Sequence, residues 1–235
     1  MKVELIDHMG SDLTVVNAAR VSYNKTSEYE TKEVGYDEDS EPCVPHTIPT
    51  LSTKDKKLIK YLAKHNHWSP FAHCFLQFRI KAPLFVARQL VKHQVGLSWN
   101  EVSRRYVDDE PEFYTPLSWR GRAANNKQGS EGVAESQYFP AIYLNDVCEQ
   151  ALSSYKKMLQ QGVAPEMARI ILPQNMYTEW YWSGSLMAFA RVCKQRCTSD
   201  TQAETADIAD MIEDEVMENF PHSYAALQGA KNELQ

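Results

Sequence analysis

At 235 residues, 43% hydrophobic and 24% charged, the chain has the length and composition of one domain with a real core, and nothing marks it as wholly disordered. It contains no apolar run of roughly 18 residues, which excludes a helical membrane span, and its net charge of −6 argues against coating nucleic acid by bulk electrostatics. Five cysteines, an odd number at irregular spacing, argue against a disulfide framework. With an N-terminal stretch too short and too acidic for a signal peptide, a reducing, cytoplasmic location is expected.

Val3, Leu5 and Ile6 set a short first strand, and Ser11 caps a helix carrying Leu13, Val15, Val16 and Ala19 that ends near Ser22. From Lys25 to Thr50 the chain is acidic and proline-bearing, which reads as a long loop. Ser52 opens an amphipathic helix with Leu58, Ile59, Leu62 and Ala63 on one side, broken at His65 to Pro70. Cys74 to Lys81 alternates as a strand, and Pro83 takes the first position of a helix running to about His93. A second polar loop is expected over 120–137, then a long helix from Ala141 to Gln161 stopped by Gly162, then a short one from Pro165. Tyr177 to Trp182 reads as extended. Two further helices, Leu186 to Cys197 and Thr201 to Asn219, close the pattern, with Pro221 as a stop. The expected class is α+β: a small mixed or antiparallel sheet flanked by long helices, in a single domain over 1–235.

Chemistry concentrates between Arg88 and Tyr106. Arg88 and Lys92, like Gln89 and His93, are four apart and stack on a helix face. Behind them comes Asn100-Glu101-Val102-Ser103-Arg104-Arg105-Tyr106. Arginine forks match phosphate oxygens, and a carboxylate among cations stays ionised as an acceptor. The spacing alone leaves two readings open, an anion site or a salt-bridged surface helix. His65, His67 and His73 do not follow zinc-ligand spacing, so no metal is expected. Cys193 and Cys197 read as core or neutral thiols, Ser103 as a binding hydroxyl, and the Tyr177, Trp180, Tyr181 and Trp182 run as core. Neither a Walker loop nor a dinucleotide glycine fingerprint is present.

These residues also carry a family resemblance. Val86-Ala-Arg-Gln89, the triplet Lys92-His93-Gln94 and Asn100-Glu-Val-Ser103 with Arg105-Tyr106 resemble the signature of the flavin-dependent thymidylate synthases: Arg-His-Arg, seven residues, then Ser. Further blocks follow in the family's order. They are Ala18-Ala-Arg-Val-Ser22, His65-Asn-His-Trp-Ser-Pro-Phe71, Ala168-Arg-Ile-Ile-Leu-Pro173 with Tyr177-Thr178, and Arg196 ahead of Gln202-Ala203-Glu204. The chain departs from the pattern in the triplet's lysine and glutamine, and in the eight residues separating Gln94 from Ser103. Ser185 and Met187 stand where the family carries Asn and Arg, with Arg191 a turn further on.

The resemblance implies a homotetramer with active sites made by neighbouring subunits. Each site would bind FAD, take reducing equivalents from NADPH, and methylate C5 of dUMP with methylenetetrahydrofolate as carbon donor. Carried over by motif, Ser22, His67, Ser69, Lys92, His93, Gln94 and Glu101 face the flavin. Gln89, Ser103, Arg105, Arg169 and Arg196 hold dUMP, and Arg169 and Glu101 are the catalytic candidates. Arg104 falls on a variable motif position and is set outside the site. No cysteine falls in the motif region, in keeping with a family that needs no cysteine nucleophile. The alternatives are a sister flavoenzyme acting on another pyrimidine deoxynucleotide such as dCMP, and a non-catalytic nucleotide or RNA binder.

Overall fold

The computed structural model describes residues 1–37, 44–124 and 129–229. In chain order the described residues form β1 (Lys2–Met9), α1 (Asp12–Arg20), β2 (Glu30–Asp37), β3 (Val44–Thr50), α2 (Thr53–Lys64), β4 (Phe75–Pro83), α3 (Leu84–Leu90) and β5 (Leu97–Glu101). There follow β6 (Arg120–Arg122), β7 (Ser130–Val133), α4 (Tyr138–Gln160), α5 (Pro165–Ala168), β8 (Tyr177–Ser185), α6 (Leu186–Arg196), α7 (Ala203–Asn219) and α8 (Pro221–Gly229). The class is α+β, as the sequence indicates. The principal sheet has the order β1-β4-β8-β5, and two separate two-stranded ribbons are β2-β3 and β6-β7.

Strand period 2 explains the sheet. On β4 the residues Leu76, Phe78, Ile80 and Ala82 are buried, and on β8 Thr178, Trp180, Trp182 and Gly184. The opposite face pairs polar groups across the strands. Gln77 donates to Ser183 Oγ (3.1 Å), Arg79 pairs with Glu179, and Lys81 lies over the Tyr177 ring. Partner numbers fall as β4 rises, so β4 and β8 run antiparallel.

The chain makes two compact units. The first comprises Met1–Ile6, Gln77–Ser183 and Val192–Ile212; the second comprises Asp7–Leu76, Gly184–Arg191 and Glu213–Gln235. In the second unit α1, α2 and α8 pack on one another. The Asp12 carboxylate accepts from the backbone N–H groups of His222 (2.9 Å) and Ser223 (2.8 Å), so the start of one helix caps the start of another. Ser52 caps α2 as expected, its hydroxyl accepting from Asp55 N at 3.1 Å. Arg20, from the Ala18–Ser22 block, reaches across to Asp55.

Several expected elements differ. The acidic stretch is a hairpin rather than a loop: Glu30 pairs with Thr50 through to Asp37 with Val44, with a bulge between Glu33 and Gly35. Pro45 and Pro49 are compatible with it because they are four apart, so their missing N–H groups fall on one edge of a two-stranded ribbon. Glu38, Asp39, Glu41, Pro42 and Cys43 lie outside the described residues, as do residues 125–128 of the second polar segment. The rest of that segment pairs as β6 and β7. Pro83 ends β4 instead of opening α3, and α3 stops at Leu90, where His93 N turns back to Leu90 O (3.0 Å). Pro221 does not stop α7 so much as start α8, in the first helical position where its missing N–H costs nothing. Ser185, at the family's Asn position, caps α6 by accepting from Ala188 N at 3.2 Å, a task Ser and Asn share. No helix among the described residues is long and apolar enough to cross a membrane.

Candidate active site

The motif residues fall into three groups. Ser22, His67 and Ser69 belong to the second unit. Ser22 sits in the exposed turn Val21–Tyr23, His67 stands edge-on to Tyr61 after Asn66 turns the chain at φ 54°, and Ser69 opens the turn Ser69–His73. The other predicted residues belong to the first unit, where they form two clusters.

One cluster gathers at the end of α3. Arg196, at the end of α6, donates from Nε to His93 Nε2 (2.9 Å) and from Nη2 to the Gln89 carbonyl (3.4 Å). Accepting at Nε2 requires a neutral imidazole protonated on Nδ1. Gln89 Nε2 donates to Gln202 Oε1 at 2.7 Å. The i, i+4 stack predicted for Gln89 and His93 is replaced by this tighter turn, which brings both toward Arg196. Lys92 and Gln94 are exposed on the same turn.

In the second group Glu101 and Arg169 line an open cleft of about 700 Å³, whereas Ser103 and Arg105 are not among its lining residues. Aromatic packing positions Glu101. Trp180 is 1% exposed and stacks on Trp99 (4.4 Å, 17°), while Trp182 meets Trp99 edge-on. Trp99 Nε1 then donates to Glu101 Oε2 (3.0 Å) and Thr178 Oγ1 to Glu101 Oε1 (2.7 Å). Glu101 is thus gripped at both oxygens, and each retains a lone pair for a ligand donor. Arg169, on the turn following α5, ties Nε to Glu166 O (3.3 Å) and lines the same cleft. Ser103 Oγ accepts from Arg105 Nε at 3.1 Å, and the Arg105 guanidinium lies over the Tyr106 ring.

Motif spacing sets Arg104 aside, yet its side chain lies in the cleft wall, only 12% exposed and paired with Asp109. Thr178 and Gln202 are likewise in contact with predicted residues. Both stood in recognised blocks without a role, and nothing local marks what they touch. Six carboxylates line the cleft (Glu101, Asp109, Glu110, Glu112, Glu166, Glu179) against three cations (Lys81, Arg104, Arg169). The arginines therefore decide whether an anion is admitted at all. No cysteine is among the described residues that line it. Cys74, in the second unit, has its thiol pushed up to about 12 by burial, which makes it a poor nucleophile.

The family model described as thymidylate synthase complementing protein matches residues 4–222. The chain belongs to that family, the flavin-dependent thymidylate synthases. It is 38% identical over 226 residues to a flavin-dependent thymidylate synthase of Thermus thermophilus, covering 96% of this chain and 75% of that one. The enzyme of the same description from Kosmotoga olearia is 35% identical over 226 residues, covering 95% and 88%. Among solved structures, the UMP/dUMP methylase PolB from Streptomyces cacaoi bound with 5-Br dUMP superposes with a TM-score of 0.78 at 28% identity, covering 97% of this chain and 94% of that one.

The residues present fit a flavin. Lys92 offers a cation for phosphate, Gln94 an amide donor and acceptor, and Val95, 72% exposed, apolar surface beside them. Glu101, held by Trp99 and Thr178, would offer a flavin a fixed acceptor. Lysine in place of arginine keeps the charge without the fork. Because Thr178 holds one Glu101 oxygen, Thr178→Val is expected to weaken flavin retention by about five- to tenfold with little loss of stability. Flavin dissociation followed by fluorescence is the measurement, and an unchanged constant would remove Thr178 from the site.

Proposed function

We propose that this chain makes dTMP from dUMP by reductive methylation, as an FAD-dependent methyltransferase with methylenetetrahydrofolate as carbon donor and NADPH as reductant. The observation that carries the reading is the gripped Glu101 in a cleft walled by Arg104 and Arg169, on a chain whose family membership spans nearly its whole length. Both compact units act as one functional domain in this reading, since the chain crosses between them repeatedly and the family match covers both. The assembly is a homotetramer with sites shared between subunits, and the location is the cytoplasm.

When bound, the flavin supplies the reducing equivalents that turn the transferred one-carbon unit into a methyl group. The protein's share is positioning and electrostatics. Gln89, Ser103, Arg105 and Arg196 hold the nucleotide, and Ser22, His67, Ser69, Lys92, His93, Gln94 and Glu101 hold the cofactor. Arg169 faces the pyrimidine and stabilises the charge that builds on a ring carbonyl oxygen as C5 becomes nucleophilic.

The solved relative named a UMP/dUMP methylase makes UMP a second substrate to test. Purified protein is expected to show a flavin absorbance spectrum and to oxidise NADPH in a dUMP-dependent manner when the folate is supplied. Turnover is expected to be at least tenfold slower with dCMP, whose ring lacks the N3–H donor. Protein that neither carries nor takes up FAD, or that turns over dCMP as readily as dUMP, would overturn the assignment.

A further inference from the structure

A chain of hydrogen bonds runs from the β6 strand to Gln89, and its polarity is fixed at one end. Glu204, at the start of α7, is 4% exposed. Arg120 Nη2 lies 2.8 and 2.6 Å from its two oxygens, Tyr114 OH donates to it (3.2 Å), and Gln202 Nε2 donates to it (3.0 Å). Arg120 is itself steadied by Ser130 Oγ at 2.9 Å. With a guanidinium against both oxygens the carboxylate is ionised, and an ionised carboxylate only accepts. Gln202 must therefore turn its NH₂ toward Glu204 and its carbonyl oxygen toward Gln89. Gln89 must answer with its own NH₂, at 2.7 Å, with a second, longer contact to Phe85 O at 3.4 Å. Its carbonyl oxygen is the atom left over.

We propose that Glu204, clamped by Arg120 and acting through Gln202, is a positioning residue that turns the Gln89 amide so that its carbonyl oxygen meets a hydrogen-bond donor on the nucleotide. The inference rests on the reading that Gln89 touches the nucleotide. The ligand chemistry is an N–H or O–H donor, supplied by uracil N3–H or by the 3′-hydroxyl. Glu204→Gln reverses the polarity: the new amide donates to the Gln202 oxygen, Gln202 donates to the Gln89 oxygen, and Gln89 presents N–H to a donor.

The test is calorimetric binding of dUMP, dCMP and 2′,3′-dideoxyuridine monophosphate to the flavin-loaded protein. In the wild type, the analogue lacking the partnered donor is expected to bind about tenfold more weakly than dUMP. In Glu204→Gln, dUMP itself should weaken about tenfold, and the penalty for that one analogue should shrink toward one while the other analogue's ratio stays put. Loss of the dCMP penalty assigns the donor to N3–H; loss of the dideoxy penalty assigns it to the 3′-hydroxyl. Gln202→Met cuts the relay while leaving the Arg120–Glu204 pair intact, so it carries the same test should Glu204→Gln fail to fold. Wild-type ratios in the relay variants, with Gln89→Ala losing dUMP affinity, overturn the positioning role and leave the site reading standing. Wild-type dUMP affinity in Gln89→Ala overturns both.

Discussion

Replacing Arg169 with alanine is expected to lower kcat/KM for dUMP about 10²- to 10³-fold, with most of the loss in kcat. Three features argue for so large an effect. Buried Ala168 anchors the turn that carries the side chain, and the Glu166 carbonyl accepts from its Nε at 3.3 Å, which gives the exposed arginine one fixed contact inside the cleft. The cleft around it carries twice as many carboxylates as cations, so each missing guanidinium is felt by any developing negative charge. The other cleft arginine, Arg104, is already engaged with Asp109. Arg169→Lys keeps the charge without the two-pronged donor and should lose about tenfold. Steady-state kinetics with dUMP varied separates the effects. A KM change with kcat intact would make Arg169 a ground-state binding group only, and near-normal activity would take it out of the site.

Of the residues lining that cleft, the sequence assigned Glu101 and Arg169 to the site but set Arg104 aside and gave Thr178 no role, and the grouping of the other site residues was not legible. Gln89 and His93 looked like one face of a longer α3. The helix instead closes at Leu90, and its last turn swings both toward Arg196, more than a hundred residues away. β5 escaped detection because Leu97–Glu101 is mostly polar and exposed, lacking the apolar alternation that announces a strand. Yet that strand is what carries Glu101 to Thr178. The strongly patterned elements α2, β4 and β8 were readable because burial imposes their periods, and α4 because Gly162 marks its stop. The ribbon β2-β3 was not, since its acidic residues and prolines mimic a loop. Arg120 and Glu204 are 84 positions apart, and no local spacing betrays a pair joined only by the fold. The Ala18–Ser22 block was read through Ser22 alone, whereas Arg20 carries a separate structural duty within it.

That duty gives the largest expected effect on stability. Asp55 is 2% exposed and accepts from Arg20 Nη2 (2.6 Å) and Nε (3.1 Å), Ser27 Oγ (3.0 Å) and Ser52 Oγ (2.8 Å). Asp55→Ala removes these bonds but frees an arginine whose side chain is 25% exposed and reaches water, so a loss of about 2 kcal/mol is expected. Arg20→Ala is expected to cost more, about 3 kcal/mol, because it strands a buried carboxylate whose remaining partners are only hydroxyls. For a chain of this length these correspond to Tm decreases of about 4–8 °C and 6–12 °C, measured at fixed protein and flavin concentration. The reverse order would mean that Asp55 does not carry the buried charge. Burial pushes the Asp55 carboxyl upward, but the Arg20 guanidinium and the two serine hydroxyls outweigh it and hold it below its ordinary 3.8. A folded value below the unfolded one means the contribution is fully present above about pH 4 and is lost as pH falls through the folded value. The stability gap between wild type and Asp55→Ala should therefore stay constant from neutral pH to about pH 5 and begin to narrow only below about pH 4. A gap that closes near neutrality would identify a different titrating group.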